Sequence, residues 1–142
     1  MGRKIRIGFF CGPGLDNFIK PIVKYFEDYY DVRLETSTDQ GKLGESLQWA
    51  DIIWLEWANE MAAFITHKMK SLIEDKPVIV RIHSYEAVHG LVGKVDWTLV
   101  HSSIFVSQHV RNLTSQQWAV MNLKKDHDTY VIYNYISIMI FL

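Results

Sequence analysis

Cysteine is almost missing from this chain. Cys11 is the only one, which excludes an internal disulfide and fits a reducing compartment. An excess of charge of either sign is missing too: 15 Lys and Arg stand against 16 Asp and Glu, a net charge of -1. A nucleic-acid partner calls for a basic face and a membrane anchor for a polybasic run, and neither is present. No apolar run approaches the roughly 18 residues that a membrane-crossing helix needs, which leaves at most peripheral membrane contact. The apolar run behind Met1-Gly2-Arg3-Lys4 is too short for a signal-peptide core with its cleavage site. Arg6 stands where a myristoylation start wants Ser or Thr. The six histidines (His67, His83, His89, His101, His109 and His127) and Cys11 form no His-x-x-x-His or Cys-x-x-Cys pair, so no metal is expected. The expectation is a soluble, cytoplasmic, one-domain chain of 142 residues without a metal or other cofactor.

Short apolar runs that alternate with helical patterns are what the sequence does have. Strands are expected at Lys4 to Cys11, Val32 to Glu35, Ile52 to Glu56, from Pro77 onward, Ser103 to Val106 and Thr129 to Tyr133. Between them, Leu15, Phe18, Ile19, Ile22, Val23, Phe26 and Tyr30 fall near helical spacing, with Pro21 marking the helix start or a kink. A loop is expected over Thr36 to Gly44, with a short helix around Glu45 to Trp49. A longer helix is expected over Asn59 to Glu74, and an irregular stretch after Glu86. Ser107 opens a helix to about Leu113, and a second helix runs from Ser115 to Leu123, before a polar turn at Lys124 to Asp128. This alternation predicts βαβ units: an α/β, doubly wound, Rossmann-like open parallel sheet of about six strands with helices on both faces. Residues 1–134 form that domain. The apolar residues 135–142 stand where an interdomain linker would be expected.

One strand ends unlike the others. Pro77-Val78-Ile79-Val80 runs through Arg81 and Ile82 into His83-Ser84-Tyr85-Glu86. In parallel sheets ligands bind beyond the carboxyl ends of the strands, so His83 and Glu86 stand where chemistry is usually placed. His83 can act as donor, general base or ligand. Arg81 inside an apolar strand needs a carboxylate partner, Glu56 or Glu86, if buried. A structural Arg81/Glu86 pair competes with a catalytic reading. Glu56-Trp57 ends the third strand, and a carboxylate beside an indole suits a sugar. The competing reading packs Trp57 in the core and uses Glu56 or Glu60 at the next helix start. Gly12-Pro13-Gly14 brings backbone close to a phosphate or sugar, or else is a plain tight turn. Asn17 breaks the Gly-x-Gly-x-x-Gly dinucleotide pattern despite Glu35 near the ribose position. His67, His109 and His127 read as solvated, and His101 as a satisfied structural residue.

Taken in order, four segments resemble one family. They are Ile53-Trp54-Leu55-Glu56-Trp57-Ala58, Arg81 through Ala87, Val95-Asp96-Trp97 followed by Ile104 through Arg111, and Val131-Ile132-Tyr133-Asn134. Together they resemble the N-terminal, acceptor-side domain of GT-B fold glycosyltransferases, nearest to the family-four-like retaining enzymes. The resemblance implies sugar transfer from a nucleotide-sugar donor to a glycan, lipid or other acceptor across a cleft between two domains. It implies that His83 lies beside the reacting sugar as the catalytic group. Gly12 and Gly14 would face the donor, and Glu56, Trp57, Arg81 and Glu86 would line the substrate side. No metal is implied. Tyr135 stands where the family has Gly, and the donor-binding domain is not in this sequence. The expectation is therefore a half-site, inactive alone and completed by a separate donor-binding domain or subunit. A non-catalytic acceptor- or partner-binding module is the alternative. A receiver-like domain wants clustered acids after strand one, where this chain has Cys11-Gly12.

Overall fold

A computed structural model describes residues 2–123 and 127–134. Its six strands are β1 (Arg6–Phe10), β2 (Asp31–Glu35), β3 (Ile52–Glu56), β4 (Val78–Ile82), β5 (Ser102–Phe105) and β6 (Asp128–Val131). They form one sheet in the order β2-β1-β3-β4-β5-β6, every pair parallel. The expected α/β, Rossmann-like architecture is the one observed. Its helices are α1 (Lys20–Phe26), α2 (Gln40–Trp49), α3 (Glu60–Lys68), α4 (Ser84–Val88) and α5 (Gln108–Val120).

Strand order reverses between β1 and β3. With right-handed crossovers, α1 must then lie on one face of the sheet and α2 to α5 on the other. The two cores follow this division. Leu43 and Leu47 of α2, Ala62 and Ile65 of α3, and Val110 and Trp118 of α5 pack on Phe10, Ile53, Leu55, Val78, Val80, Ile82 and Phe105. On the opposite face Ile19 and Val23 meet Ile7, Phe9, Trp54 and Ile104. Past α1 that second face is open among the described residues. A groove of about 250 Å³ runs there beside Phe18, Ile22, Trp54, Ile104 and Ile132.

Several boundaries differ from the sequence expectation, each for a local reason. Pro21 does start α1, in its first turn. The expected loop over Thr36 to Gly44 instead turns helical at Gln40, because Asp39 caps α2 by accepting from Lys42 N at 2.9 Å. Helix α3 stops at Lys68, and Lys70–Leu72 tightens into a 3-10 turn short of Glu74. The strand at Pro77 ends at Ile82, and the chain enters α4 at Ser84. One continuous α5 replaces the two helices expected around Ser115. Ser107 caps it as expected, accepting from Val110 N at 3.2 Å. His127 is not solvated: it meets Ser103 Oγ at 2.6 Å and packs edge-on to Trp118. The apolar segment 135–142 and part of the Lys124 to Asp128 turn lie outside the described residues.

Candidate functional site

Register builds the site. Glu56 and Arg81 are Cα partners at the carboxyl ends of β3 and β4, so their side chains leave the same face of the sheet, the α1 side. Both are buried, and Glu56 Oε1 accepts from Arg81 Nη1 at 2.9 Å. His83, two residues beyond Arg81, returns to that face, with Nε2 2.6 Å from the same Oε1. A carboxylate can only accept here, so Nε2 carries the proton. Glu56 Oε2 accepts from Trp54 Nε1 at 2.9 Å. One carboxylate thus binds three donors, from β3, from β4 and from the start of α4 just beyond it. The second guanidinium nitrogen of Arg81 donates to Asn134 Oδ1, just past β6.

The partner that Arg81 uses is Glu56; an Arg81/Glu86 pair does not form. Glu86 serves the backbone instead. Its Oε1 accepts from His83 N at 2.8 Å and from Ala58 N at 3.0 Å, which ties the start of α4 to the end of β3. Its Oε2 is buried with no hydrogen-bond partner among the described residues. Burial pushes the Glu86 carboxyl above its ordinary value, against the lowering pull of the two backbone N–H groups. The native state therefore holds this proton where the unfolded chain has already released it. Stability from this group is full below about pH 4.5 and falls as the pH rises through the native value. Glu86→Gln keeps the Oε1 acceptor and removes the ionisation. Urea midpoints measured from pH 4 to 8 should show wild type losing ground to Glu86→Gln as pH rises; a constant difference would contradict it.

Trp57 closes the cluster. Its indole stacks on the His83 ring at 3.9 Å and 18°, and its Nε1 donates to Leu15 O at 3.0 Å. Phe18 lies against the same imidazole at 5.4 Å. To reach this position Trp57 takes φ 78°, an uncommon conformation for a bulky side chain, at a cost of about 1–3 kcal/mol. The result is that His83 is only 4% exposed. Cys11, buried at the end of β1, has its thiol pushed up to about 12, chiefly by burial and next by the Glu56 charge. It is a packing residue, not a nucleophile.

Gly12 and Gly14 lie apart from this hydrogen-bonded cluster, in a closed turn. Leu15 N donates to Gly12 O at 3.1 Å, and Gly14 holds φ 78° at the third position after Pro13, the type II arrangement. The tight-turn reading is therefore met, and the loop also borders a cavity of about 400 Å³. Glu60 does stand in the first turn of α3, where an acid is favourable, but neither it nor Glu56 is the cap. Asn59 is, its Oδ1 accepting from Met61 N at 3.2 Å, and an Asn before Glu-Met-Ala-Ala was the available signal. His101 accepts from Val78 N through Nδ1 at 3.0 Å, as a structural residue does. Among the described residues no group of three or more His, Cys, Asp or Glu side chains converges to hold a metal ion. No described helix is long and apolar enough to cross a membrane. Comparison of the chain with protein-family models, with curated proteins and with solved structures found no match.

Proposed function

We propose that this chain is the acceptor-side domain of a glycosyltransferase, working with a donor-binding domain across the carboxyl edge of the sheet. One observation carries the reading. Three of the residues singled out at the ends of β3 and β4, Glu56, Arg81 and His83, meet with Trp54 and with Asn134 past β6 in a single hydrogen-bonded cluster around Glu56. Stability alone is a poor reason for it, because buried ion pairs are often no better than apolar residues of equal volume. Charged and ring groups gathered at the ligand-binding edge of a parallel sheet fit a role in substrate handling. In this reading His83 contacts sugar hydroxyls once Trp57 and Phe18 move off its ring. Arg81 and Glu56 keep the imidazole in one tautomer and orientation.

The sealed state of His83 favours a second reading, a non-catalytic module that binds an acceptor or partner and turns nothing over. Radiolabelled transfer assays with a panel of nucleotide-sugars separate the two. The purified chain alone should transfer nothing and should show no tight calorimetric binding of nucleoside diphosphates. Addition of a GT-B donor-binding domain should produce transfer that His83→Ala abolishes. Tight diphosphate binding by this chain alone would overturn the acceptor-side assignment. Transfer that survives His83→Ala would overturn the role of the histidine, and no transfer with any donor domain would favour the binding module.

A further inference from the structure

The cavity of about 400 Å³ sits at the β1/β3 reversal, where open α/β sheets part to admit ligands. Its wall has two chemistries. Pro13, Leu15, Leu43, Met61 and Phe64 supply an apolar side, while Thr38, Gln40, Asn59 and Glu60 supply a polar one. Asn59 is the telling residue. It is only 8% exposed, and its Oδ1 is committed to Met61 N, which fixes the amide orientation. Its Nδ2 donates to no described group and remains open to solvent, free to meet a ligand in the cavity that Asn59 borders. The neighbouring Glu60 carboxylate borders the same space.

Hydroxyls suit both residues, since each can accept from Asn59 Nδ2 or donate to Glu60. A carboxylate or phosphate would meet repulsion from Glu60. A cation would face the first-turn N–H groups of α2 and α3. The apolar wall asks for hydrocarbon. We infer that this cavity binds a neutral amphiphile, a hydroxylated head at Asn59 and Glu60 joined to an apolar body against Leu15, Leu43, Met61 and Phe64. If the glycosyltransferase reading holds, the acceptor is then a lipid- or aryl-linked hydroxyl compound and not a bare glycan; the binding itself does not depend on that reading.

Methyl, butyl and hexyl β-glucoside are suitable probes, followed in wild type and variant alike by NMR on the backbone amides of Glu60, Met61 and Phe64 of the full chain. Saturable shifts are expected, with affinity rising about fourfold for each methylene seated on the wall. Asn59→Asp keeps the cap acceptor of α3 and removes the donor, so the fold is retained. It should weaken hexyl glucoside roughly fivefold to tenfold, the worth of one neutral hydrogen bond. A flat series in wild type would overturn the proposal whatever the variant does. So would unchanged affinity in folded Asn59→Asp, or hexanoate binding tighter than hexyl glucoside. Binding in the expected order without transfer in any reconstituted assay would leave the cavity assignment standing while the glycosyltransferase reading falls.

Discussion

Glu56→Leu should destabilise the chain by about 3–5 kcal/mol, the penalty for leaving one partner of a buried pair uncompensated. The substitution conserves approximate volume, so little of the loss comes from a cavity. It comes from Arg81, buried without its counter-ion, and from Trp54 Nε1 and His83 Nε2, each deprived of an acceptor. Against a typical domain stability of about 5–15 kcal/mol, such a loss shifts the urea midpoint well outside error. The informative comparison is Glu56→Leu combined with Arg81→Met. Removing both charges replaces the pair with hydrocarbon, which is often neutral. The double variant should therefore be more stable than Glu56→Leu, with a coupling of about 1–3 kcal/mol. Simple additivity of the two single changes would show that the pair is not coupled as drawn. A double variant that folds well yet loses ligand response would separate the cluster's functional role from any structural one.

Trp97→Ala should cost a similar amount, about 3–5 kcal/mol, by a different route. Trp97 is buried, meets Trp118 of α5 edge-on at 4.9 Å, and donates from Nε1 to Val92 O at 2.7 Å. Truncation opens a cavity beneath α5 and orphans a buried carbonyl, two penalties at one position. Trp97→Phe restores much of the volume but not the donor, so it should recover a large part of the loss and leave about 1–2 kcal/mol. Chemical denaturation followed by far-UV circular dichroism reads this without relying on the altered fluorophore. If Trp97→Phe were as damaging as Trp97→Ala, the hydrogen bond and not the packing would dominate.

The sheet was legible because its strands are buried on both faces, and such strands read as continuous apolar runs. Ile52 through Leu55 and Val78 through Val80 are of this kind. The need of Arg81 for a carboxylate was legible for the same reason: a charge in that setting cannot go unpaired. Which carboxylate was not. Glu86 lies nearer in sequence, but a turn of helix starting at Ser84 aims it at backbone N–H groups, while strand register puts Glu56 opposite Arg81. Helix α4 is five residues long, too short for any period to show. The start of α2 was hidden by Gly41 and Gly44, although Asp39 is a good cap. The continuity of α5 was hidden by Thr114-Ser115, read as a break, whereas Thr114 is buried. His127 with Ser103, and Asn134 with Arg81, are brought together by the sheet alone, at separations that no local pattern reports.

Parallel pairing has a kinetic consequence. No two strands here can be joined by a hairpin; each neighbour arrives only after an intervening crossover has been spanned. Loop-closure entropy must therefore be met before any ladder forms, and refolding belongs with the slower regime of small domains. The strand with the farthest partner to gather is β1, since it lies between β2 and β3 and cannot be completed until β3 has been brought back to it across β2 and α2. Until then the apolar edge of Ile7, Phe9 and Phe10 stays unpaired, and the success of refolding should depend on how dilute the chain is kept during that interval.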